Sequence, residues 1–262
     1  MTSMRDSKAA GWGREDRAWT RGKGWTLFET LVCYGLILVT IWTPRPWQRW
    51  FYWAAIAWVA ISTCISFSGW KAMGFGAAGL RRSLWVVGLA AALAAAAVAL
   101  AGNLHTLRAP NGLLGWIGAF AGYVLWAFVQ QFLLQGYFLL RLLRLLPGQK
   151  QAAVVAAGIF AAAHLPNPIL TPLTLLWGLL ACFVFLRFRN LYPLAAAHAI
   201  LGVCIAVTIP PATIHHMRVG LGYLTYRDHP HPHLSQSDHR VSTVAWVMAD
   251  APTRRCARQA LP

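Results

Sequence analysis

Long apolar runs alternate with short polar or charged segments along this chain, and the runs are close in length to a membrane span. Crossing about 30 Å of hydrocarbon takes roughly 20 helical residues. Seven runs come near that length: residues 25–42, 50–67, 83–102, 113–135, 151–165, 169–187 and 191–209. Proline or arginine closes each of the last three, as is typical of helix boundaries. The pattern predicts an all-α, polytopic membrane helix bundle with about seven transmembrane helices.

The fourth run differs from the others because its helical pattern continues without a break over residues 113–146. At 1.5 Å per residue such a helix is about 51 Å long, which exceeds the thickness of the bilayer. We therefore expect its last two turns to leave the membrane, with Arg141 and Arg144 extending to the interface. Glu29 lies four residues inside Trp25. This position favours an interfacial carboxylate, or one paired with arginine there, over a catalytic one.

Composition supports a membrane protein, since 58% of the 262 residues are hydrophobic and 11% are charged, which is far too apolar for a soluble domain. The chain divides into a basic cytoplasmic tail (1–24), a membrane helical domain (25–226) and a low-complexity tail (227–262). We expect the last of these to be disordered. The candidate chemistry falls in the central part of the membrane domain, residues 113–209.

The net charge of +16 raises the question of a nucleic-acid partner, but the lysines and arginines are scattered through every loop and form no basic stripe. We predict the lipid bilayer as the partner and no nucleic acid. Basic residues concentrate in the N-terminal tail and in loops 69–82 and 141–150, so the positive-inside rule predicts a multi-pass protein of the cell membrane with a cytoplasmic N-terminus. Many of the 14 tryptophans fall at span ends, and we interpret them as interface anchors rather than a binding site.

Few strongly polar side chains lie deep inside the predicted spans, and they fall on three helices: Gln130, Gln131 and Gln135, then His164, then His198. Each costs free energy in lipid unless it is paired or hydrated. Counted at 1.5 Å per residue from the cytoplasmic side, Gln131, His164 and His198 all lie near the bilayer centre. Gln131 and Gln135 share a helix face, while Gln130 points about 100° away. We expect a shared polar cavity, and hydrogen bonding between helices is the alternative.

Three short motifs surround these residues: QQFLLQG at 130–136, FAAAH at 160–164 and HAILG at 198–202. In this order and spacing they resemble the CPBP family of intramembrane proteases, which includes the CAAX prenyl endopeptidases and has the motifs EExxxRG, FxxxH and HxxxN or HxxxD. The resemblance covers residues 113–209. It implies a cluster of seven or eight helices around a water-filled cavity. In that cavity, two glutamates and two histidines activate water and cleave a peptide near its membrane-anchored C-terminus.

The departures from the family motifs concern the groups that would carry the reaction. By position, Gln130 and Gln131 replace the glutamate pair, Gln135 replaces the arginine and Gly202 replaces Asn or Asp, whereas both histidines match. A glutamate can take a proton from water, but a carboxamide has no usable basic lone pair. No Asp or Glu occurs between residues 31 and 227. The general base of the family is therefore missing from these positions.

Two functions remain open on this basis. The first is a CAAX-type intramembrane endopeptidase, whose family reaction is water-mediated peptide cleavage, here with the glutamates absent; His164 and His198 could supply a reduced site, since imidazole titrates near neutral pH. The alternative is a catalytically inactive membrane protein that binds or shields a membrane-anchored peptide or partner protein. A hydrolytic zinc site takes three protein ligands, and the two histidines have no third, so no metal and no cofactor are predicted.

Overall fold

A computed structural model describes residues 22–77 and 79–226, and this part of the chain is predominantly helical. The predicted tail 227–262 and all but the last residues of the tail 1–24 lie outside the described residues. The helices are α1 (Lys23–Trp42), α2 (Gln48–Ile65), α3 (Leu80–Ser83), α4 (Trp85–Asn103), α5 (Gly112–Leu145), α6 (Gln149–Ala162), α7 (Leu170–Phe188), α8 (Tyr192–Thr208), α9 (Pro211–Ile214) and α10 (Gly220–Leu224). A 3-10 turn, His215–Met217, lies between α9 and α10.

Each predicted span coincides with one of these helices, and the all-α class is confirmed. Four segments are long and apolar enough to cross a membrane, namely α1, Leu80–Asn103, α5 and α7. Helix α6 has 14 residues and is about 21 Å long, which is shorter than the hydrocarbon core. The total of seven spans therefore stays a prediction. Large apolar side chains face outward, such as Leu114 with 84% of its surface exposed, as expected of a multi-pass membrane protein.

Small residues let the central helices approach one another closely. Helix α6 packs along α7, and both α4 and α5 pack along α8. Ala153, Ala156 and Ala157 of α6 are completely buried, and Gly178 of α7 lies against Ala157. In a membrane, close backbone approach replaces the hydrophobic driving force between helices. The buried alanines of α6 therefore form its contact face with α7.

Helix α5 is continuous, as its pattern predicts, but its middle is not a regular α-helix. Residues Phe132–Leu139 form a π-helix between the α-helical parts Gly112–Gln131 and Leu140–Leu145. A π-helical stretch has wider turns, with i→i+5 hydrogen bonds, and is common at functional sites. The wider turns change the direction in which the following side chains point. Gln131 before this stretch contacts α8, whereas Arg141 after it contacts α1.

A buried ion pair joins α1 to the end of α5. Arg141 Nε lies 3.2 Å from Glu29 Oε2, and the two side chains are 5% and 0% exposed. Ser66 Oγ and Trp25 Nε1 both donate to Glu29 Oε1, at 2.6 Å and 2.9 Å. The expected pairing of Glu29 with an arginine therefore occurs, and both partners are buried in the protein.

The expectation that Arg141 extends to the interface is wrong. Its guanidinium also donates to the backbone carbonyls of Tyr137 at 3.3 Å and Ser62 at 3.2 Å, and it lies over the Tyr137 ring. Arg144, one turn further on, is half-buried and donates to Ser68 Oγ at 2.9 Å. The neighbouring helices α1 and α2 and the loop after α2 supply the acceptors that water would otherwise provide.

The turn after α6 is held in place by the chain that follows α8. Asn167 Nδ2 donates to the backbone carbonyls of Ile214 at 3.0 Å and Arg218 at 3.1 Å. Gly220 N donates to the carbonyl of Leu165 at 2.7 Å. These bonds fix the backbone immediately beyond His164, which is the last residue of the second motif.

Candidate functional site

A line of three hydrogen-bonded side chains connects α5 to α8 in the interior of the bundle. Gln135 Nε2 donates to Gln131 Oε1 at 2.9 Å, and Gln131 Nε2 lies 2.8 Å from His198 Nδ1. The two glutamines are completely buried and His198 is 7% exposed. Gln131 and Gln135 lie one helical turn apart, which is why their amides meet. The structure thus joins three residues of the first and third motifs directly.

The direction of this line determines where His198 carries its proton. Gln131 Oε1 already accepts a hydrogen bond from Gln135, so the Gln131 amide presents its NH₂ group to the ring. A ring nitrogen that accepts a hydrogen bond is unprotonated, and the neutral imidazole then has its hydrogen on the other nitrogen. With this arrangement, His198 offers an Nε2–H donor to the space around it.

His164 is held in the opposite tautomer by the backbone. Its Nδ1 lies 2.7 Å from the carbonyl oxygen of Phe160, one turn earlier in the chain. A carbonyl oxygen only accepts, so Nδ1 carries the hydrogen and Nε2 is left as an acceptor. The Phe160 ring contacts both imidazoles, with centroid distances of 4.8 Å to His164 and 6.0 Å to His198. The site therefore holds one imidazole that accepts, His164, and one that donates, His198, and both contact Phe160.

Three of the six sequence-predicted residues lie outside this line, namely His164, which contacts Phe160, and also Gln130 and Gly202. Gln130 is half-buried, and its side chain forms no hydrogen bond within the described part of the chain, in keeping with its different helix face. Gly202 lies one turn after His198 and faces α5, where a side chain would collide with the hydroxyl and ring of Tyr123. The space that an Asn or Asp side chain would fill at position 202 is thus taken by the Tyr123 hydroxyl of α5.

Trp177 is part of the site and was not recognised from the sequence. It lies in the middle of α7, and its ring centroid is 5.9 Å from that of His198. Within the residues that the structure describes, its buried indole nitrogen has no hydrogen-bond partner, and the same holds for Gln135 Oε1. The interpretation of tryptophans as interface anchors suits exposed residues at span ends but not Trp177. Its distance from both ends of an apolar run was the signal available in the sequence.

The chemistry of the site is confined to amides, imidazoles, a hydroxyl and an indole. Glu29 is the one acidic residue between positions 22 and 226, and its carboxylate is bound by Arg141 and Ser66. Among the residues that the structure describes, no three His, Cys, Asp or Glu side chains come together as they would to hold a metal ion. The site can therefore donate and accept hydrogen bonds, and its one candidate for accepting a proton is an imidazole nitrogen.

A family comparison points to the same part of the chain. Residues 111–204 match the protein-family model described as Rce1-like, type II CAAX prenyl endopeptidase. The matched region runs from the start of α5 into α8 and includes every motif residue named above. No curated protein and no solved structure matches the chain.

Proposed function

We propose that this chain, of which residues 111–204 match the Rce1-like type II CAAX prenyl endopeptidase family model, is a member of that family that holds a membrane-anchored peptide or partner protein without cleaving it. The observation that carries the proposal is the direction of the hydrogen bonds from Gln135 through Gln131 to His198. It leaves His198 as a donor, whereas a glutamate at position 131 would accept from Nδ1 and leave Nε2 free to take a proton.

Hydrolysis lacks its usual proton acceptor in this arrangement. A positioned general base contributes about 10²–10⁴-fold to the rate, and an amide at position 130 or 131 contributes none of that. Glu29 cannot substitute, because its two carboxylate oxygens are bound by Arg141, Ser66 and Trp25. The proposed protein therefore lacks the rate enhancement that a carboxylate provides.

Binding, in contrast, suits the groups that are present. A peptide unit has one C=O acceptor and one N–H donor, and the site has an imidazole donor at His198 and an imidazole acceptor at His164. Polar groups buried in the bundle cost free energy until they find partners. A peptide segment satisfies both imidazoles at once, and an acyl chain satisfies neither.

A second function is favoured by one specific contact. The hydrogen bond from His164 Nδ1 to the Phe160 carbonyl orients the ring and leaves Nε2 as a base, as in other histidine bases held by a backbone carbonyl. His164 would take a proton from water, and His198 Nε2–H would stabilise the oxyanion that forms on the attacked carbonyl. This is histidine-based hydrolysis at a rate reduced by the missing carboxylate.

One experiment separates the two functions. The purified protein in lipid nanodiscs is given a lipid-anchored, CAAX-type reporter peptide, and both binding and cleavage are measured. We expect binding without turnover, and we expect His198→Ala to weaken binding about 3- to 10-fold through loss of one hydrogen bond. His105→Asn is the matched control, because His105 is exposed in a loop at φ 54°, which Asn tolerates.

The outcomes are distinct. Turnover that disappears in His164→Ala and persists in His105→Asn would refute the non-hydrolytic function and support the histidine mechanism. Absence of both binding and turnover in the wild-type protein would refute both functions. Binding that His198→Ala leaves unchanged would place the peptide elsewhere on the protein.

A further inference from the structure

We propose that Trp177 and Gln135 form a peptide-backbone subsite beside His198, in which Trp177 Nε1–H donates to a backbone carbonyl and Gln135 Oε1 accepts from a backbone N–H. This inference rests on the function proposed above. It assigns peptide binding to two residues for which the three motifs imply no such role. Gln135 occupies the family's arginine position, and Trp177 lies outside all three motifs.

The first observation is the state of the Trp177 indole. Its nitrogen is buried and has no acceptor. A small cavity of about 40 Å³ borders the ring, and its other walls are aliphatic side chains of α4, α7 and α8 that offer no acceptor. Buried N–H groups without partners are rare because each costs about 1–3 kcal/mol. A donor kept at this cost, in contact with His198, indicates a partner that comes from outside the chain.

The second observation is the matching state of Gln135. Its amide uses one group, Nε2, to bond Gln131, while Oε1 is completely buried and has no donor. One end of the line of hydrogen bonds is therefore the unsatisfied acceptor of Gln135. At the other end, the ring of His198 contacts Trp177, whose indole N–H is an unsatisfied donor. Both groups belong to the same cluster of contacting side chains but to different helices, α5 and α7.

An extended peptide is complementary to such a pair. Its backbone presents carbonyls and N–H groups at intervals of about 3.3 Å per residue, whatever its side chains are. A lipid chain has neither group, and an ionised carboxylate has no donor for Gln135. A peptide main chain can satisfy both orphaned atoms, and recognition by this subsite is then independent of side-chain sequence.

The test uses an N-acylated, fluorescently labelled heptapeptide and a set of analogues in which one backbone nitrogen at a time is methylated. Affinity is measured by fluorescence anisotropy with the full-length protein in nanodiscs. We expect Trp177→Phe, which keeps an aromatic ring and removes the N–H, to weaken binding of the parent peptide about 3- to 10-fold. Trp85→Phe is the control, because Trp85 lies on α4 with half of its surface exposed.

The Gln135 half is tested with the analogues. Methylation of one particular nitrogen should weaken binding to the wild-type protein by a similar factor and should have no effect in Gln135→Met. If Gln135→Met does not fold, the wild-type scan decides alone, since the absence of a sensitive nitrogen would overturn the acceptor role. Thermal unfolding without peptide adds a second readout: Trp177→Phe removes an unsatisfied donor but also part of a packed ring, so the melting temperature of the peptide-free variant separates a packing role from a binding role.

Two results would overturn the subsite. Equal peptide affinity in Trp177→Phe and wild type would show that the indole N–H does not donate to the peptide. A lower melting temperature of peptide-free Trp177→Phe, together with unchanged affinity per folded molecule, would assign the indole a structural role. Failure of the wild-type protein to bind the parent peptide would refute the proposed function itself, and the subsite with it.

Discussion

Removal of either partner of the buried ion pair between Glu29 and Arg141 is expected to destabilise the protein strongly, while removal of both together should cost far less than the sum. The pair is almost completely inaccessible to solvent, with Nε and Oε2 3.2 Å apart. Loss of one partner leaves an uncompensated charge in the interior, at a cost of about 3–5 kcal/mol. Glu29→Leu and Arg141→Met should each lower the free energy of unfolding by that amount.

The stability of the double variant is predicted from the hydrogen-bonding groups that lose their partners. Once both charges are gone, the main loss is the acceptor of Ser66 Oγ and Trp25 Nε1. Orphaned donors of this kind cost about 1–3 kcal/mol, against about 6–10 kcal/mol for the two single changes added together. The difference is the coupling energy of the pair, which a double-mutant cycle measures.

The assay is reversible unfolding by sodium dodecyl sulfate in mixed micelles, followed by the fluorescence of the 14 tryptophans. Arg108→Met serves as control, because Arg108 is exposed and its loss should change stability by about 0.5 kcal/mol or less. Single variants that behave like this control, or a double variant whose cost equals the sum of the singles, would show that the two side chains do not stabilise one another.

Three further predictions concern the site and its supports. Gly202→Asn should destabilise the protein by about 1–3 kcal/mol through overpacking against Tyr123, and Tyr123→Ala should restore the melting temperature of that variant; no rescue would contradict the contact. The double change Gln130→Glu and Gln131→Glu should still yield a folded, membrane-inserted protein by size-exclusion chromatography, since a carboxylate at position 131 can accept hydrogen bonds from both Gln135 Nε2 and His198 Nδ1–H; aggregation would indicate that the interior does not tolerate the charge. Asn167→Leu removes the bonds to the chain after α8, so trypsin should cut that segment faster than in wild type, and an unchanged rate would count against the clamp.

The positions of the helices could be predicted from the sequence because they depend on local properties. Apolar run length, proline and arginine at the ends, and the period of the pattern place α7 and α8 to within a residue or two. The i, i+4 spacing of Gln131 and Gln135 likewise predicts that they share a face, and their amides are bonded. These features need no knowledge of which helix packs against which.

The partners of polar side chains could not be predicted in the same way. Glu29 and Arg141 are 112 residues apart in the chain, and nothing in the neighbourhood of either indicates the other. The position of Trp177 inside an apolar run separates it from the tryptophans at span ends, but its contact with His198 is visible only in the structure. Hydropathy measures how strongly a side chain avoids water, but it does not indicate which neighbouring group forms its hydrogen bonds.

The sequence by itself determined that this protein is a bundle of apolar helices, that amides and imidazoles lie within them, and that no carboxylate accompanies these groups between residues 31 and 227. The tertiary structure alone decided the direction of the hydrogen bonds from Gln135 to His198, the burial of the ion pair, and the Tyr123 hydroxyl in the space beside Gly202. The physical reason is that a tautomer, an ion pair and an occupied volume are each set by atoms on two different helices. Their relative placement follows from packing, which a one-dimensional pattern does not contain.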